Sequence, residues 1–196
     1  MRRPVGLLVS CMAVLALGAP SALAQTAGGA EAPVPPAPTP APVAPSGDAP
    51  AAGPTVPGAT AKLRGGVAYA PADAPAAVQR AIWAGNDLQS APYRYGGGHG
   101  DFVDTGYDCS GTVSYALHGG GLLDVPLDSS SFLQWGEAGP GQWITVYTNP
   151  GHAYVVIAGL RLDTSAANDP RGLKGPRWRK RARGGEGFTP RHVTGL

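Results

Sequence analysis

Three side chains, Cys109, His152 and Asp163, have the types and the order that a nucleophilic thiol site requires. A cysteine attacks a carbonyl carbon as its thiolate, and a neighbouring histidine can take up the thiol proton. A carboxylate beside that histidine holds the imidazole in one tautomer and one orientation. The sequence therefore predicts a Cys–His–Asp triad for covalent catalysis, provided that the fold brings these residues together.

The thiol lies in the motif YDCSG, and the residues after it have helical spacing. Apolar residues share one helical face with Cys109, and the run HGGG at 118–121 ends the pattern. We predict a helix from Cys109 to Leu117 with Asp108 as its N-cap. Backbone N–H groups and the helix dipole at that end would lower the pKa of the thiol. Position alone fits an unreactive buried cysteine equally well.

The segment GHAYVVIAGLRLDTS predicts a β-hairpin. Its strands are Ala153–Ile157 and Leu160–Thr164, with a two-residue turn between them. Side chains alternate between the two faces of a strand, so Asp163 falls on the same face as His152, on the diagonal. Either residue alone would be a common surface or turn residue. The combination with a cysteine at a helix start favours a catalytic site.

Three motifs together resemble one known family. PYRYGG, then YDCSG opening a helix, then GHAYVVIAG opening a hairpin, are similar to the NlpC family of bacterial cell-wall cysteine peptidases, over about residues 91–164. The chain resembles a divergent member. The resemblance implies a papain-like α+β fold, in which the helix bearing the nucleophile packs on an antiparallel sheet. It also implies hydrolysis of peptide bonds in peptidoglycan stem peptides, typically between D-glutamate and a diamino acid.

The same resemblance assigns roles to single residues. Cys109 matches the nucleophile, His152 the base, and Asp163 the third polar residue, where the family more often has histidine. Tyr93 matches a tyrosine whose hydroxyl helps to bind the oxyanion, and Tyr95 competes for that role or contacts substrate.

A further assignment and two departures bear on the substrate. Ser110 matches a residue beside the cleft that contacts the stem peptide. Gln142 stands where the family has an acidic residue before a strand, and GHGDFVD at 98–104 lengthens the loop before the cysteine. Asp163 in place of histidine and the altered strand at Gln142 keep open a catalytically retired protein that binds wall material. A thiol acyltransferase or amidase is the other alternative, because the same triad serves those reactions. No metal or other cofactor is expected, because the cysteine and histidine spacing lacks the paired ligands of a zinc site.

The N-terminal region predicts export. Residues 1–24 combine a basic start, an apolar run at 5–17 and small residues before Gln25, which is typical of a secretory signal peptide. The run is shorter than the roughly 20 residues that span a bilayer, so no transmembrane helix is expected in the mature form. Lipidation at Cys11 is the alternative. Removal of the signal would leave Cys109 as the one cysteine of a secreted or envelope protein.

The rest of the chain divides into a spacer and one domain. Residues 25–64 are rich in Pro and Ala and poor in large apolar residues, which predicts a disordered linker. Residues 65–196 are long enough for one core. They begin with a predicted helix at Ala74–Gln89, with Asp73 as N-cap and Pro75 in the first turn.

The last feature is a basic C-terminal segment. Residues 171–185 hold seven of the fifteen Lys and Arg side chains. Export makes nucleic acid an improbable partner, so we expect the part at 171–183 either to bind an anionic wall or envelope polymer or to be a solvated surface. Trp178 would anchor the segment to the domain, and GFTPRHV would supply a final strand.

Overall fold

The structure, a computed structural model, describes residues 52–168, 172–180 and 183–196. The predicted signal peptide, Cys11 and the linker up to residue 51 lie outside these residues. The helices are α1 (Ala76–Asp87) and α2 (Cys109–Gly119), with a 3₁₀ turn at Ser131–Gln134. The strands are β1 (Thr55–Val56), β2 (Lys62–Arg64), β3 (Val67–Pro71), β4 (Glu137–Ala138), β5 (Ile144–Asn149), β6 (His152–Ile157), β7 (Leu160–Asp163), β8 (Arg177–Arg179) and β9 (Thr189–His192).

A six-stranded antiparallel sheet forms the centre of the domain, with the order β4-β9-β5-β6-β7-β8. Helix α2 packs on β6 and β7, and α1 packs on α2. The interface is apolar, and each large side chain that it buries contributes roughly 1.5–3 kcal/mol. Its fully buried members include Val113, Leu117, Val155, Ile157 and Leu162. The α+β expectation, a cysteine-bearing helix on an antiparallel sheet, is confirmed.

The hairpin β6–β7 has the predicted register, with Ile157 paired to Leu160. Ala158 and Gly159 at the turn both have positive φ, 47° and 89°. Two such residues form the type of turn whose twist matches that of the flanking strands. The first strand begins one residue earlier than predicted, at His152, because that residue pairs with Asn149 of β5. Consequently His152 belongs to the sheet.

Helix α1 is shorter than predicted, and the predicted N-cap is wrong. The helix begins after Pro75, which makes no side-chain capping bond. Asp73 lies in the turn that follows β3, where the N–H of Ala74 donates to the carbonyl of Pro71. The Gln79 side-chain amide, one turn into the helix, donates to carbonyls of this turn instead. The helix start is therefore fixed by a glutamine inside it.

Part of the segment predicted as linker is folded in the structure. Strands β1 and β2 flank β3 in a small three-stranded sheet. Ala61 is buried in the main core, and its N–H donates to the carbonyl of Ala158 at 2.9 Å. Small residues allow this close approach, so low hydrophobicity did not prevent packing here. The folded part thus includes residues on the linker side of the predicted boundary at 64.

The basic segment enters the sheet as β8. Trp178 is only 1% exposed, and buried Arg179 donates to the carbonyls of Asp163 and Leu173. Lys174 and Lys180 are exposed. The chain then returns as β9, the predicted final strand. Binding of an anionic polymer by this segment stays a prediction. Within the described ranges, no helix is both long and apolar enough to cross a membrane.

Candidate active site

Cys109 is the first residue of α2, half-buried beside the start of β6. Asp108 is the N-cap, as predicted, and its Oδ1 accepts the N–H of Gly111 at 2.9 Å. The backbone N–H of Ala153 and the His152 side chain both lie close enough to the cysteine sulfur to stabilise its thiolate. The helix start and the strand start therefore meet at the sulfur.

His152 joins the thiol to a buried carboxylate. Its Nε2 lies 2.9 Å from Oδ1 of Asp163, which is 1% exposed. An ionised carboxylate only accepts hydrogen bonds, so Nε2 carries a proton. Nδ1 is then the nitrogen that faces the thiol, and in the neutral ring it can accept the thiol proton. The structure thus brings together all three residues that the sequence singled out.

The surroundings of these groups favour charge on each of them. Burial alone would raise the pKa of the Cys109 thiol, but the hydrogen bonds from His152 and from the N–H of Ala153 hold it below its ordinary value. Burial would lower the pKa of His152, yet its bonds with Asp163 and Cys109 raise it to about 9. The arrangement therefore favours a thiolate beside an imidazolium over the neutral pair.

Asp163 is held on both oxygens. Oδ1 also accepts the N–H of Ser165 at 2.8 Å. Oδ2 lies 3.5 Å from Nε of Arg161 and 3.5 Å from Nη1 of Arg183. Burial opposes its charge, but the hydrogen bond from His152, the N–H of Ser165 and the charge of Arg161 together lower its pKa. Asp163 is consequently ionised at neutral pH.

Sequence reasoning missed both arginines. Arg161 had a signal, because residues two apart on a strand share a face and so Arg161 shares that of Asp163. Arg183 had no such signal, because it follows β8 in a run of basic residues and nothing in the sequence distinguishes it from its neighbours.

A cleft of about 430 Å³ opens at the thiol. Its lining includes Tyr93, Tyr95, Cys109, Ser110 and Asp128. Tyr93 is 50% exposed, and a bridge to Tyr107 ties its backbone beside the cysteine motif. Partial burial raises the pKa of its hydroxyl, and the nearby charge of Cys109 raises it further. Tyr93 is therefore close enough to the sulfur for their charges to interact.

The other two predicted binding residues differ from each other. Tyr95 is 90% exposed at the cleft, so its ring is open to solvent. Ser110 is buried, and its hydroxyl lies 3.3 Å from Oδ1 of Asp108 and 3.0 Å from Nε2 of His99. The Ser110 hydroxyl is therefore engaged within the protein.

His99 is a cleft residue that the sequence did not mark as a candidate. Its Nε2 also lies 3.0 Å from Oδ1 of Asp108, and its ring lines the cleft. Asp104 fixes the inserted loop, because it accepts the N–H groups of Gly98 and Thr105. Among the described residues, no group of three or more His, Cys, Asp and Glu side chains could hold a metal ion.

No family model and no curated protein matches the chain. Two solved structures from Mycobacterium tuberculosis are similar to it. The peptidoglycan hydrolase RipB (Rv1478) aligns at 22% identity over 60% of this chain and 64% of its own, with a TM-score of 0.44. Rv1477, a hypothetical invasion protein, aligns at 26% identity over 60% of this chain and 62% of its own, with a TM-score of 0.42. The alignments thus span less than two thirds of either relative.

Proposed function

We propose that this protein is a cysteine peptidase, a divergent member of the NlpC family, that hydrolyses peptide bonds in peptidoglycan stem peptides. One observation carries the proposal: the Cys109 thiol lies within interaction range of His152, whose Nε2 lies 2.9 Å from the buried carboxylate of Asp163. The motifs PYRYGG, YDCSG and GHAYVVIAG support the substrate class. The bond between D-glutamate and the diamino acid is the proposed site of cleavage.

The first half-reaction is acyl transfer to the cysteine. The Cys109 thiolate attacks the carbonyl carbon, a C–S bond forms, and the carbonyl electron pair moves onto oxygen. The His152 imidazolium then gives its Nδ1 proton to the leaving nitrogen as the C–N bond breaks. An amine departs and a thioester remains. Asp163 stays ionised throughout and stabilises the imidazolium.

The second half-reaction is hydrolysis of the thioester. Neutral His152 takes a proton from water while the water oxygen bonds to the acyl carbon. The tetrahedral species collapses, the C–S bond breaks, and the thiolate is released beside the imidazolium. The products are a carboxylic acid and the amine of the first step, so the enzyme returns to its starting state.

Tyr93 is the proposed donor to the oxyanion. A hydroxyl aimed at the attacked oxygen stabilises charge that develops in the transition state. The position of Tyr93 in the cleft, within electrostatic range of Cys109, supports this role. Tyr95 is the more available of the two proposed substrate contacts, because the Ser110 hydroxyl is bonded to other protein groups.

The setting of the enzyme is part of the proposal. Residues 1–24 would direct export, residues 25 to about 51 would tether the domain, and the protein would act in the cell envelope. The exposed lysines of the basic segment would assist attraction to an anionic wall or envelope polymer.

Digestion of purified peptidoglycan by the mature protein tests this function. We expect new amino groups and pairs of stem-peptide fragments whose masses together exceed that of the substrate by one water. Cys109→Ala should lower the rate at least about a thousandfold while the protein stays folded under the assay conditions. Products joined to an added amine would identify an acyltransferase instead. Binding to the wall without any cleavage, or equal digestion by Cys109→Ala, would refute the proposal.

A further inference from the structure

The carboxylate of Asp163 has two differently occupied oxygens. Oδ1 accepts hydrogen bonds from His152 and from the N–H of Ser165. Oδ2 faces the guanidinium groups of Arg161 and Arg183, each at 3.5 Å. Rotation of the carboxylate would exchange these environments and remove Oδ1 from the imidazole. The groups around Oδ2 therefore bear on the contact between Asp163 and His152.

Arg183 is the more accessible of the two arginines, with a side chain 23% exposed against 1% for Arg161. Aromatic rings hold its guanidinium: the central carbon lies 5.0 Å from the Phe188 ring centroid and 5.6 Å from that of Tyr154. Phe188 also meets the His152 ring edge to face at 6.1 Å. Arg183 and Phe188, which lie between β8 and β9, thus contact Asp163 and His152 respectively.

We propose that Arg183 is a positioning residue for Asp163 and His152: with its guanidinium carbon over the rings of Phe188 and Tyr154, it holds the Asp163 carboxylate with Oδ1 toward His152 and keeps water from Oδ2. This inference rests on the proposed function, because the pair matters only if His152 serves the thiol. Arg183 is not among the residues that line the cleft, and it pairs with the Asp163 carboxylate, so its effect passes through Asp163.

The physical reason is local polarity. A hydrogen bond between an imidazolium and a carboxylate is stronger where water is excluded, and it weakens as the local dielectric rises. Loss of the Arg183 side chain would open Oδ2 to solvent and allow the carboxylate to rotate. Arg161 would remain on the buried side. The imidazolium would then be less stable, and so would the thiolate that it pairs with.

A positioning role for Arg183 can be recognised from its effect on the pKa values of Cys109 and His152. His152 is faced by Cys109 and Asp163, and Asp163 by His152, Arg161 and Arg183. The thiolate–imidazolium pair exists between the pKa of the thiol and that of the imidazole. We call this pH range the window. If Asp163 is no longer held in position, the pKa of the thiol rises and that of the imidazole falls, so the window narrows from both ends. Loss of a positive charge alone would move both ends upward, because it destabilises the thiolate and favours the imidazolium.

The test locates both ends of the window in the mature protein and requires no substrate: the rate of Cys109 alkylation by iodoacetamide against pH gives the pKa of the thiol, and NMR titration of His152 gives that of the imidazole. We expect Arg183→Ala to narrow the window from both ends and to lower the alkylation rate roughly threefold near the thiol pKa, as when a charged hydrogen bond loses part of its strength. Arg183→Lys should restore it only in part, because an ammonium cannot stack as a guanidinium does. Lys180→Ala, an exposed cation of the same segment, is the matched control and should leave the window unchanged.

Each other outcome counts against the positioning role. A window that shifts upward as a whole, or full recovery in Arg183→Lys, would assign to Arg183 a role of charge alone. A lower melting temperature with an unmoved window would make the contact merely structural. The proposed function fails separately: an ordinary thiol pKa in the unaltered protein would remove the Cys109–His152 pair and this inference with it. A window present in the unaltered protein and unmoved in Arg183→Ala would overturn this inference alone.

Discussion

Asp163 is almost wholly buried, yet its Oδ1 lies 2.9 Å from Nε2 of the partly exposed His152. The carboxylate is the last residue of β7 and the imidazole is the first of β6, so the hairpin itself sets the distance. The hydrogen bond from His152, the N–H of Ser165 and the charge of Arg161 keep the pKa of the carboxylate low in spite of burial. The sheet therefore gives the imidazole a fixed anionic partner.

Asp163→Asn should remove that partner while retaining the shape of the side chain. An amide can present its N–H to the ring and thereby favour the wrong tautomer, so we expect kcat on stem peptides to fall by about a thousandfold or more. The pKa of His152 should fall from about 9. Histidine titration by NMR and initial rates provide the two measurements. Asp124→Asn, at an exposed acid, serves as the control. Unchanged kcat in Asp163→Asn would exclude the triad role.

The Cys109–His152 pair also predicts how stability depends on pH. The pKa of His152 is raised from 6.5 to about 9, so its stabilising effect is complete below pH 6.5 and is lost as pH rises toward 9. The pKa of Cys109 is lowered from 9.0, so its effect is present above pH 9 and is lost as pH falls through the lowered value. Where the two ranges overlap, between the lowered pKa of the thiol and pH 9, the two effects oppose each other.

We therefore expect the melting temperature of the mature protein to fall less with rising pH, up to pH 9, than that of a protein without the thiol. Cys109→Ala removes the thiol's share but keeps the bond between His152 and Asp163, so its melting temperature should fall with rising pH. Thermal unfolding monitored by circular dichroism at several pH values would compare the two. Parallel curves for the two proteins would contradict a thiolate–imidazolium pair.

The sequence was sufficient for the hairpin because each strand carries its own signals. Apolar residues fill β6 and β7, and Ala158-Gly159 can adopt the positive φ values of the turn. Once that register is known, the alternation of side chains places Asp163 beside His152. The N-cap at Asp108 is equally local, because it accepts from an N–H three residues away.

Long-range contacts were not predictable in the same way. His99 reaches Asp108 only because the inserted loop folds around Asp104, and nothing in its spacing indicates this. Arg183 is one of several basic residues, and its contact with Asp163 depends on the path between β8 and β9. The packing of Ala61 depends on a partner far along the chain, at Ala158. Such contacts follow from tertiary packing, which local composition does not encode.

Gly85 lies inside helix α1, where glycine lowers helix stability, and packing explains why a larger residue does not fit there. A β-carbon at residue 85 would lie 2.5 Å from Cζ2 of the buried Trp178 and 3.2 Å from Cδ2 of Leu162. Gly85→Ala should therefore destabilise the fold by roughly 1–3 kcal/mol, although alanine favours a helix more than glycine does. Urea unfolding measures the change. Gly100→Ala, where no atom lies within 4 Å, should have little effect. A more stable Gly85→Ala protein would show that Trp178 moves aside at little cost.

Two tyrosines near the thiol give a matched pair for the oxyanion role. Tyr93 is half exposed, and the charge of Cys109 affects its hydroxyl, whereas Tyr95 is 90% exposed. If the Tyr93 hydroxyl donates to the developing oxyanion, Tyr93→Phe should lower kcat by roughly 10²-fold and leave KM nearly unchanged, because the bond strengthens only in the transition state.

Tyr95→Phe is the control for Tyr93→Phe, since it removes a hydroxyl from the same cleft. We expect its kcat to stay within about threefold of the unaltered protein, with any effect confined to KM, as for a group that binds ground state and transition state alike. Steady-state rates on one stem peptide suffice for both variants. The reverse pattern, a large loss of kcat in Tyr95→Phe alone, would transfer the oxyanion role to Tyr95, because the two hydroxyls differ in position but not in chemistry.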